Sequence, residues 1–513
     1  MEKTSHSKSK TIAKNTGFMF IRMMLVVGVG LYTSRVVLRV LGVEDFGTYN
    51  LVGTIVVMFS FLKQALTNAT YRFLAFDLGA GIKENLQRTF SMSINVHLLL
   101  MLVIVLLSEI VGPWYIGSKM QISPDRVHAA QCVFQFSLLT FAIGTIKTPF
   151  NSLIVAHERM DFYALTSIIE VLMKLGVVYL LVIFPFDKLI LYGFLLTCVS
   201  VILFVWMVLY CRRNFEECRY TKVWDKGLLK KLVNYSGLSL VVNMVDVAVG
   251  QSIGIFFNQF YGLVANAGYG IATNVNSHLN QFVSSFSQSY NPQIIKSYAA
   301  GQYEYFHKLI NTASKISFLL YFSVAFPILF NIDYILEIWL VDPPKFSAEF
   351  LYCIAIHSIF DALGAPMWNS VHATGDIKVH QWMMAAIKIM NIPISYLLLS
   401  NGYPVISVLI VYALLNIICW FVRTLYLRKL IDFNAGFYFK DVVLKLIFVV
   451  VISVTLTVIC SGRISNPLMK LIVSTLFFEV VYLPLLYFLA LNVSERSLVN
   501  KLVQGVINKI KNQ

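Results

Sequence analysis

The sequence predicts an all-α integral membrane protein with about fourteen transmembrane helices. Three observations predict it. The 513-residue chain is 58% hydrophobic and only 13% charged, with a mean hydropathy of +0.72. A soluble domain carries about a quarter charged residues, so lipid is the solvent this chain needs. Its apolar residues fall into fourteen runs, each long enough to span a bilayer. Basic residues are distributed unevenly between the loops on the two sides.

The runs lie at 15–40, 46–75, 88–112, 127–156, 162–184, 188–211, 234–260, 264–292, 306–332, 347–373, 379–400, 404–427, 441–461 and 468–491. With the N-tail placed in the cytoplasm, the spans alternating, and Arg39, Arg88, Lys188, Lys308, Lys445 and Lys470 near run ends counted with the loops they flank, cytoplasmic loops and tails hold 25 of the 41 lysines and arginines and the opposite loops hold 7. Positive charge accumulates inside, so both termini are expected in the cytoplasm of a bacterial inner membrane. The net charge of +15 is then read as loops facing anionic lipid. Nucleic acid is not expected as a partner, because no basic soluble module exists to hold it.

A long-period repeat sets the organisation. Gly42, Tyr49, Gly81 and Glu84 recur as Gly262, Tyr269, Gly301 and Glu304. Pro149 and Tyr179 recur as Pro366 and Tyr396, and Tyr210 and Arg212 as Tyr426 and Arg428. Six spans separate the copies, so the halves share one orientation. The expected divisions are an N-tail (1–14), an N-lobe (15–211), a cytoplasmic linker (212–231), a C-lobe (232–430), two added helices (431–492) and a C-tail (493–513). The C-tail gathers Leu498, Val499, Leu502, Val503, Val506, Ile507 and Ile510 on one helical face, which suits a helix lying on anionic membrane lipids.

The N-terminal stretch Met1–Asn15 is polar and the first apolar run is too long for a signal h-region, so that run reads as an uncleaved helix. Seven scattered cysteines do not suggest a disulfide framework, and no metal-ligand spacing occurs. No Walker A, GxSxG or HExxH pattern is present, so neither an enzyme nor a cofactor is expected. Energy is expected from a proton or sodium gradient or from the membrane potential.

Charges inside spans are costly and by default face a cavity or each other. Arg22, Arg35, Lys63, Lys315 and Lys388 are candidate cavity cations, with ion pairing to Asp246 or Asp361 as the competing role. Glu170 and Lys174 sit four apart and can neutralise one another, and Arg72 and Lys147 can snorkel. In the eighth span Asn274, Ser277, Gln281, Ser284, Gln288 and Asn291 recur at steps of three and four, one continuous amide and hydroxyl face. Lipid does not tolerate such a face, so water or a hydroxyl-rich ligand is expected there. Ser60, Lys63, Gln64, Thr67 and Asn68 form a shorter patch in the mate helix. A cavity between the halves with these walls would suit an anionic, sugar-bearing substrate.

The stretch Arg35–Tyr49 (RVVLRVLGVEDFGTY) resembles bacterial polysaccharide-export flippases of the multidrug/oligosaccharidyl-lipid/polysaccharide superfamily, most of all the O-antigen or lipopolysaccharide branch. Arg39, Leu41, Gly42, Glu44, Asp45, Gly47 and Tyr49 carry the pattern. Asn68–Gly79, Ala156–Asp161, Phe215–Asp225, Asn291–Gly301 and Ala373–Lys378 extend it. The resemblance implies two six-helix lobes in a V, as in multidrug exporters of that superfamily, and alternating access. It implies an undecaprenyl-diphosphate-linked oligosaccharide as substrate, with polysaccharide polymerase machinery as a candidate partner. It assigns the diphosphate or acidic sugars to cavity cations, matched here by Arg22, Arg35, Lys63 and Lys315. Arg39, Gly42 and Gly47 match the part expected to shape the outer gate, with Glu44 and Asp45 beside them. Asp246 departs from the basic face expected in the seventh span and is a candidate for coupling, as is Asp361. A cation-coupled drug exporter of the same superfamily, or a membrane glycan polymerase or ligase, are the alternatives.

Overall fold

The computed structural model describes residues 59–81, 83–118, 124–340, 343–462 and 464–492 continuously. It also describes 15–26, 28–30, 32–33, 36–37, 39–42, 45, 48–49, 52, 495–496 and 500. Among the described residues every regular element is a helix and there is no strand. In chain order the helices are α1 (Asn15–Gly30), α2 (Ser60–Ala80), α3 (Lys83–Ser118), α4 (Val127–Ala156), α5 (Met160–Ile183), α6 (Lys188–Asn214), α7 (Lys226–Ala299), α8 (Tyr303–Phe330) and α9 (Ile332–Leu340). They continue with α10 (Ser347–Thr374), α11 (Lys378–Ile389), α12 (Asn391–Ser400), α13 (Ile406–Ile431), α14 (Ala435–Tyr438), α15 (Leu444–Ser461) and α16 (Pro467–Leu485).

Eleven helices among the described residues are long and apolar enough to cross a membrane. One further span arises because α7 is two arms in one helical run, the first of which, Lys226–Tyr261, is among the eleven. Phe257 and Tyr269 stand twelve positions apart, which a straight helix would separate by about 18 Å, yet their ring centroids are 5.4 Å apart. The helix therefore bends sharply between them, at the boundary between the expected spans 234–260 and 264–292. The second arm escapes a hydropathy criterion because its polar residues dilute its apolar ones.

Elements begin and end where side chains or glycine can satisfy the free backbone groups. Asp187 caps α6 through the Leu189 and Ile190 N–H groups. Asp225 caps α7 through Gly227 and Leu228, and Asn466 caps α16. Gly81 and Gly301, a matched pair of the repeat, end α2 and α7 at φ of 75° and 68°, a left-handed conformation glycine adopts freely.

Two compact units divide the described chain. The N-terminal unit comprises residues 15–243 with 295–301. It is centred on α4, which packs on α6, α3 and α2 around Val133, Phe134, Leu138 and Leu189. The C-terminal unit comprises residues 244–294 and those from 302 onward. It is centred on α10, packed on α13 and α8 around Ile253, Phe257, Phe350 and Leu409. The last two long helices attach to it through α16, where Phe326 meets Phe478 at 4.5 Å and Tyr482 Oη donates to Leu319 O at 3.0 Å. Polar side chains such as Ser314, Ser358 and Thr424 are buried, while Leu99, Leu102, Leu106 and Ile110 lie exposed along α3. This inversion of the soluble pattern is what lipid contact demands.

Candidate functional site

In the C-terminal unit, four helices bring charge together. Lys388 of α11 donates to Asp246 of α7 at 2.6 Å. One helix away, His357 Nδ1 lies 3.9 Å from Asp361 Oδ2, both on α10. Asn416 of α13 donates to His357 O at 2.8 Å and to Asp361 Oδ1 at 3.2 Å, and the Tyr412 ring stacks on His357 at 4.0 Å. These residues and Asn391 line a cavity of about 110 Å³. The Asp361 side chain is 57% exposed although it sits mid-helix in the lobe; what it faces is this cavity. Lys388, Asp246 and Asp361 are each singled out by the sequence, and the structure brings all three together.

A second cavity of about 480 Å³ adjoins the first, sharing Asp246, Asp361 and Lys388. Ser284, Gln288 and Asn291 of the amide face line it, joined by Asn280, Ser287, Asn369 and Trp368. Asn274, Ser277 and Gln281 lie outside its wall. Ser277 and Ser284 turn their hydroxyls to the carbonyls of Asn274 and Gln281. A parallel row, Thr273, Asn276 and Asn280, faces inward and lines a third cavity of about 200 Å³. There Asn276 Oδ1 accepts from Tyr321 and Ser358.

Arg423 of α13 is a site residue that the sequence does not single out. It is 5% exposed and lines the larger cavity. Its guanidinium donates to Gly364 O and His380 Nε2, each at 3.2 Å, and lies 5.2 Å from the Trp368 ring centroid. A lone arginine in a long apolar run has no periodicity to flag it.

The N-terminal unit holds a cationic cluster around a carboxylate. Glu170 accepts from Lys174 at 2.7 Å and lies 3.9 Å from Lys147. Arg22 lies within electrostatic reach of Glu170, 5.0 Å from the Tyr163 ring centroid. Lys63 lies within reach of Lys147 and 5.5 Å from the Phe141 ring. The sequence points to Arg22 and Lys63. It pairs Glu170 with Lys174 by their spacing, as found, and sets aside Lys147, whose approach to Glu170 across α4 and α5 no single-helix spacing could reveal.

The remaining candidates lie elsewhere. Lys315 is 1% exposed and paired with Glu495 at 3.0 Å, apart from Lys388. Arg39 is exposed. Arg35 and Glu44 fall outside the described residues, as do Gly47, the N-tail and most of the C-tail. Asp45 is buried and pairs with Arg126, which also pairs with Asp187. Burial pushes the Asp187 carboxyl up, but the Ile190 N–H, the Arg126 guanidinium and the Leu189 N–H together hold it below the usual carboxylate range. A depressed carboxyl contributes stability that is present above its unfolded value and lost as pH falls through the folded one. The thermal midpoint should therefore fall as pH drops below about 4, and in Arg126→Gln that fall should be shallower, because the carboxyl is then less depressed. Superimposable pH profiles for the two proteins would refute this role.

Comparison with known proteins places the fold. The MatE family model matches residues 239–397, which contain the α7–α10–α11 cluster but not Tyr412, Asn416 or Arg423. No curated protein matches. An outward-facing multidrug resistance MATE family transporter of the MOP superfamily is similar at 14% identity, with a TM-score of 0.71 over 83% of this chain and 96% of that one. The MATE transporter VcmN of Vibrio cholerae, in a point-mutant form, is similar at 14% identity and a TM-score of 0.68, over 85% and 100% of the two chains. A MOP superfamily transporter from Pyrococcus furiosus, described as having a binding pocket of reverse polarity, is similar at 13% identity and a TM-score of 0.70, over 83% and 96%. The chain thus has a MATE-like all-α membrane fold.

Proposed function

We propose that this chain is a cation-coupled secondary exporter whose cargo carries negative charge. The MatE match and the MATE-like fold support the exporter reading over a glycan polymerase or ligase. The cluster of Asp246, Lys388, His357 and Asp361 supports coupling, because ionisable groups in a water-sized cavity within a membrane lobe mark ion pathways. The observation that carries the cargo assignment is the N-terminal cluster, where cations outnumber the carboxylate: Arg22, Lys147 and Lys174 gather around Glu170, and Lys63 lies within reach of Lys147. Cationic drugs would be repelled there, whereas a phosphate or carboxylate would be attracted.

A lipid-linked oligosaccharide is the second reading, favoured by the larger cavity of the C-terminal unit. Its amides and hydroxyls, with Trp368 in the wall, suit a sugar better than an apolar drug. In that reading the chain sits in the bacterial inner membrane with both termini cytoplasmic, as loop charge supports. Anionic lipids and polysaccharide polymerase machinery would then be its neighbours.

Purified protein in liposomes, under an imposed pH or sodium gradient, tests both. It should move a fluorescent prenyl-diphosphate sugar and not a cationic dye. Lys63→Ala and Lys147→Ala should each weaken apparent affinity about tenfold or more, the worth of a charged hydrogen bond. Movement of the dye, unaffected by either substitution, would overturn the anionic assignment.

A further inference from the structure

We propose that Lys388 is a tethered cation filling the place a coupling metal ion would take, so that the ion exchanged at this site is a proton. The inference rests on the coupling role proposed above and goes on to name the ion. A hard cation such as sodium needs a cage of oxygen ligands it does not share with another cation. Here the ammonium already lies 2.6 Å from Asp246 Oδ1. Two acidic side chains, Asp246 and Asp361, are set against two basic ones, Lys388 and Arg423, around the larger cavity. A proton needs no cage, only one oxygen or nitrogen lone pair.

The geometry supplies the exchange. Lys388, Asp246 and Asp361 share the smaller cavity, and Lys388 is within electrostatic reach of Asp361 as well as bonded to Asp246. When Lys388 swings from Asp246 to Asp361, the vacated Asp246 carboxylate takes up one proton and becomes a carboxylic acid. The return swing expels that proton. No other species is consumed. The other titratable or charged groups that line these cavities or lie within electrostatic reach of them are Tyr269 on α7, Tyr321 on α8, His357 on α10, His380 on α11, and Tyr412, Cys419 and Arg423 on α13. His357, 3.9 Å from Asp361, is placed to relay the proton. Asn391 gives independent support for water in the smaller cavity, because it is 1% exposed, lines the wall, and its Nδ2 has no partner. A cavity of about 110 Å³ holds a few waters at about 30 Å³ each, enough for a proton path.

The test uses purified full-length protein. Its thermal midpoint is measured in sodium chloride and in choline chloride at equal ionic strength, and its tryptophan fluorescence is titrated with pH, Trp368 being the reporter in the wall. Wild type should show no sodium-specific shift, and should show a pH transition that disappears in the Asp246→Asn/Asp361→Asn variant. Lys388→Met, with Lys388→Gln as the fallback should it fold poorly, should gain a sodium-specific rise in midpoint. At ten times its dissociation constant, sodium would raise the folded-to-unfolded ratio about elevenfold. A sodium-specific shift in wild type would overturn the proton assignment and leave the coupling reading standing. Folded Lys388 variants without a sodium response would overturn the tethered-cation role. A wild type indifferent to both sodium and pH would overturn the coupling reading itself.

Discussion

Replacing Lys315 by methionine should cost the C-terminal unit about 3–5 kcal/mol, the usual penalty for leaving one member of a buried ion pair uncompensated. Lys315 Nζ donates to Ala490 O at 2.9 Å and to Glu495 Oε2 at 3.0 Å. Glu495 is held further by Thr312 at 2.7 Å and by the Asn492 N–H at 2.8 Å. Without the ammonium, those two neutral donors must carry a carboxylate that is 7% exposed. The π-helical turn Leu486–Ala490 is part of the same arrangement, since it presents Ala490 O to the lysine. The loss should appear as a lower thermal midpoint and faster proteolysis of the chain beyond α16, which Glu495 ties to α8. The double variant Lys315→Met/Glu495→Gln should recover most of the stability, because it removes both charges together. A single variant as stable as wild type, or a double variant no better than the single, would show that the pair is not an anchor.

Lys315 also illustrates how far the sequence can be read. That it lies in a span, and that such a charge needs a partner, are legible. The partner is not, because Glu495 lies 180 positions away beyond the last span. The same limit applies to Asp246 and Lys388, 142 apart, and to Lys147 and Glu170 on different helices. Fold class is legible because bilayer thickness imposes a length and a composition on each element separately. The amide face of the eighth span is legible because its period belongs to one helix. Its division between a cavity wall (Ser284, Gln288, Asn291) and residues outside that wall (Asn274, Ser277) is not, since that depends on where α10 and its neighbours pack.

The segments that carry the family resemblance explain a second large expected effect. Four of them meet in the N-terminal unit, at the end where α2 turns into α3. Gly79 closes Asn68–Gly79, and a Cβ built on it would lie 2.6 Å from Lys296 Cα and 2.9 Å from Lys296 O, in Asn291–Gly301. Lys296 donates to Glu158, in Ala156–Asp161. His157 of that segment pairs with Glu217 and stacks on Phe215 at 4.2 Å, in Phe215–Asp225. Glu158 holds φ of 60°, a strained value for a residue with a Cβ, kept by its bond to Lys296. These residues form a crossing of helix ends. Gly79→Ala should therefore displace α2 from α7 against backbone atoms that cannot rotate away. The expected cost is at the upper end of the about 1–3 kcal/mol typical of overpacking, and larger for Gly79→Val. Gly176→Ala in α5, with nothing within 4 Å of the added carbon, should be neutral or stabilising by up to about 1 kcal/mol through helix propensity. The measurement is the thermal midpoint of the three variants beside wild type. Equal midpoints for Gly79→Ala and Gly176→Ala would mean that the crossing is loose enough to admit a methyl group.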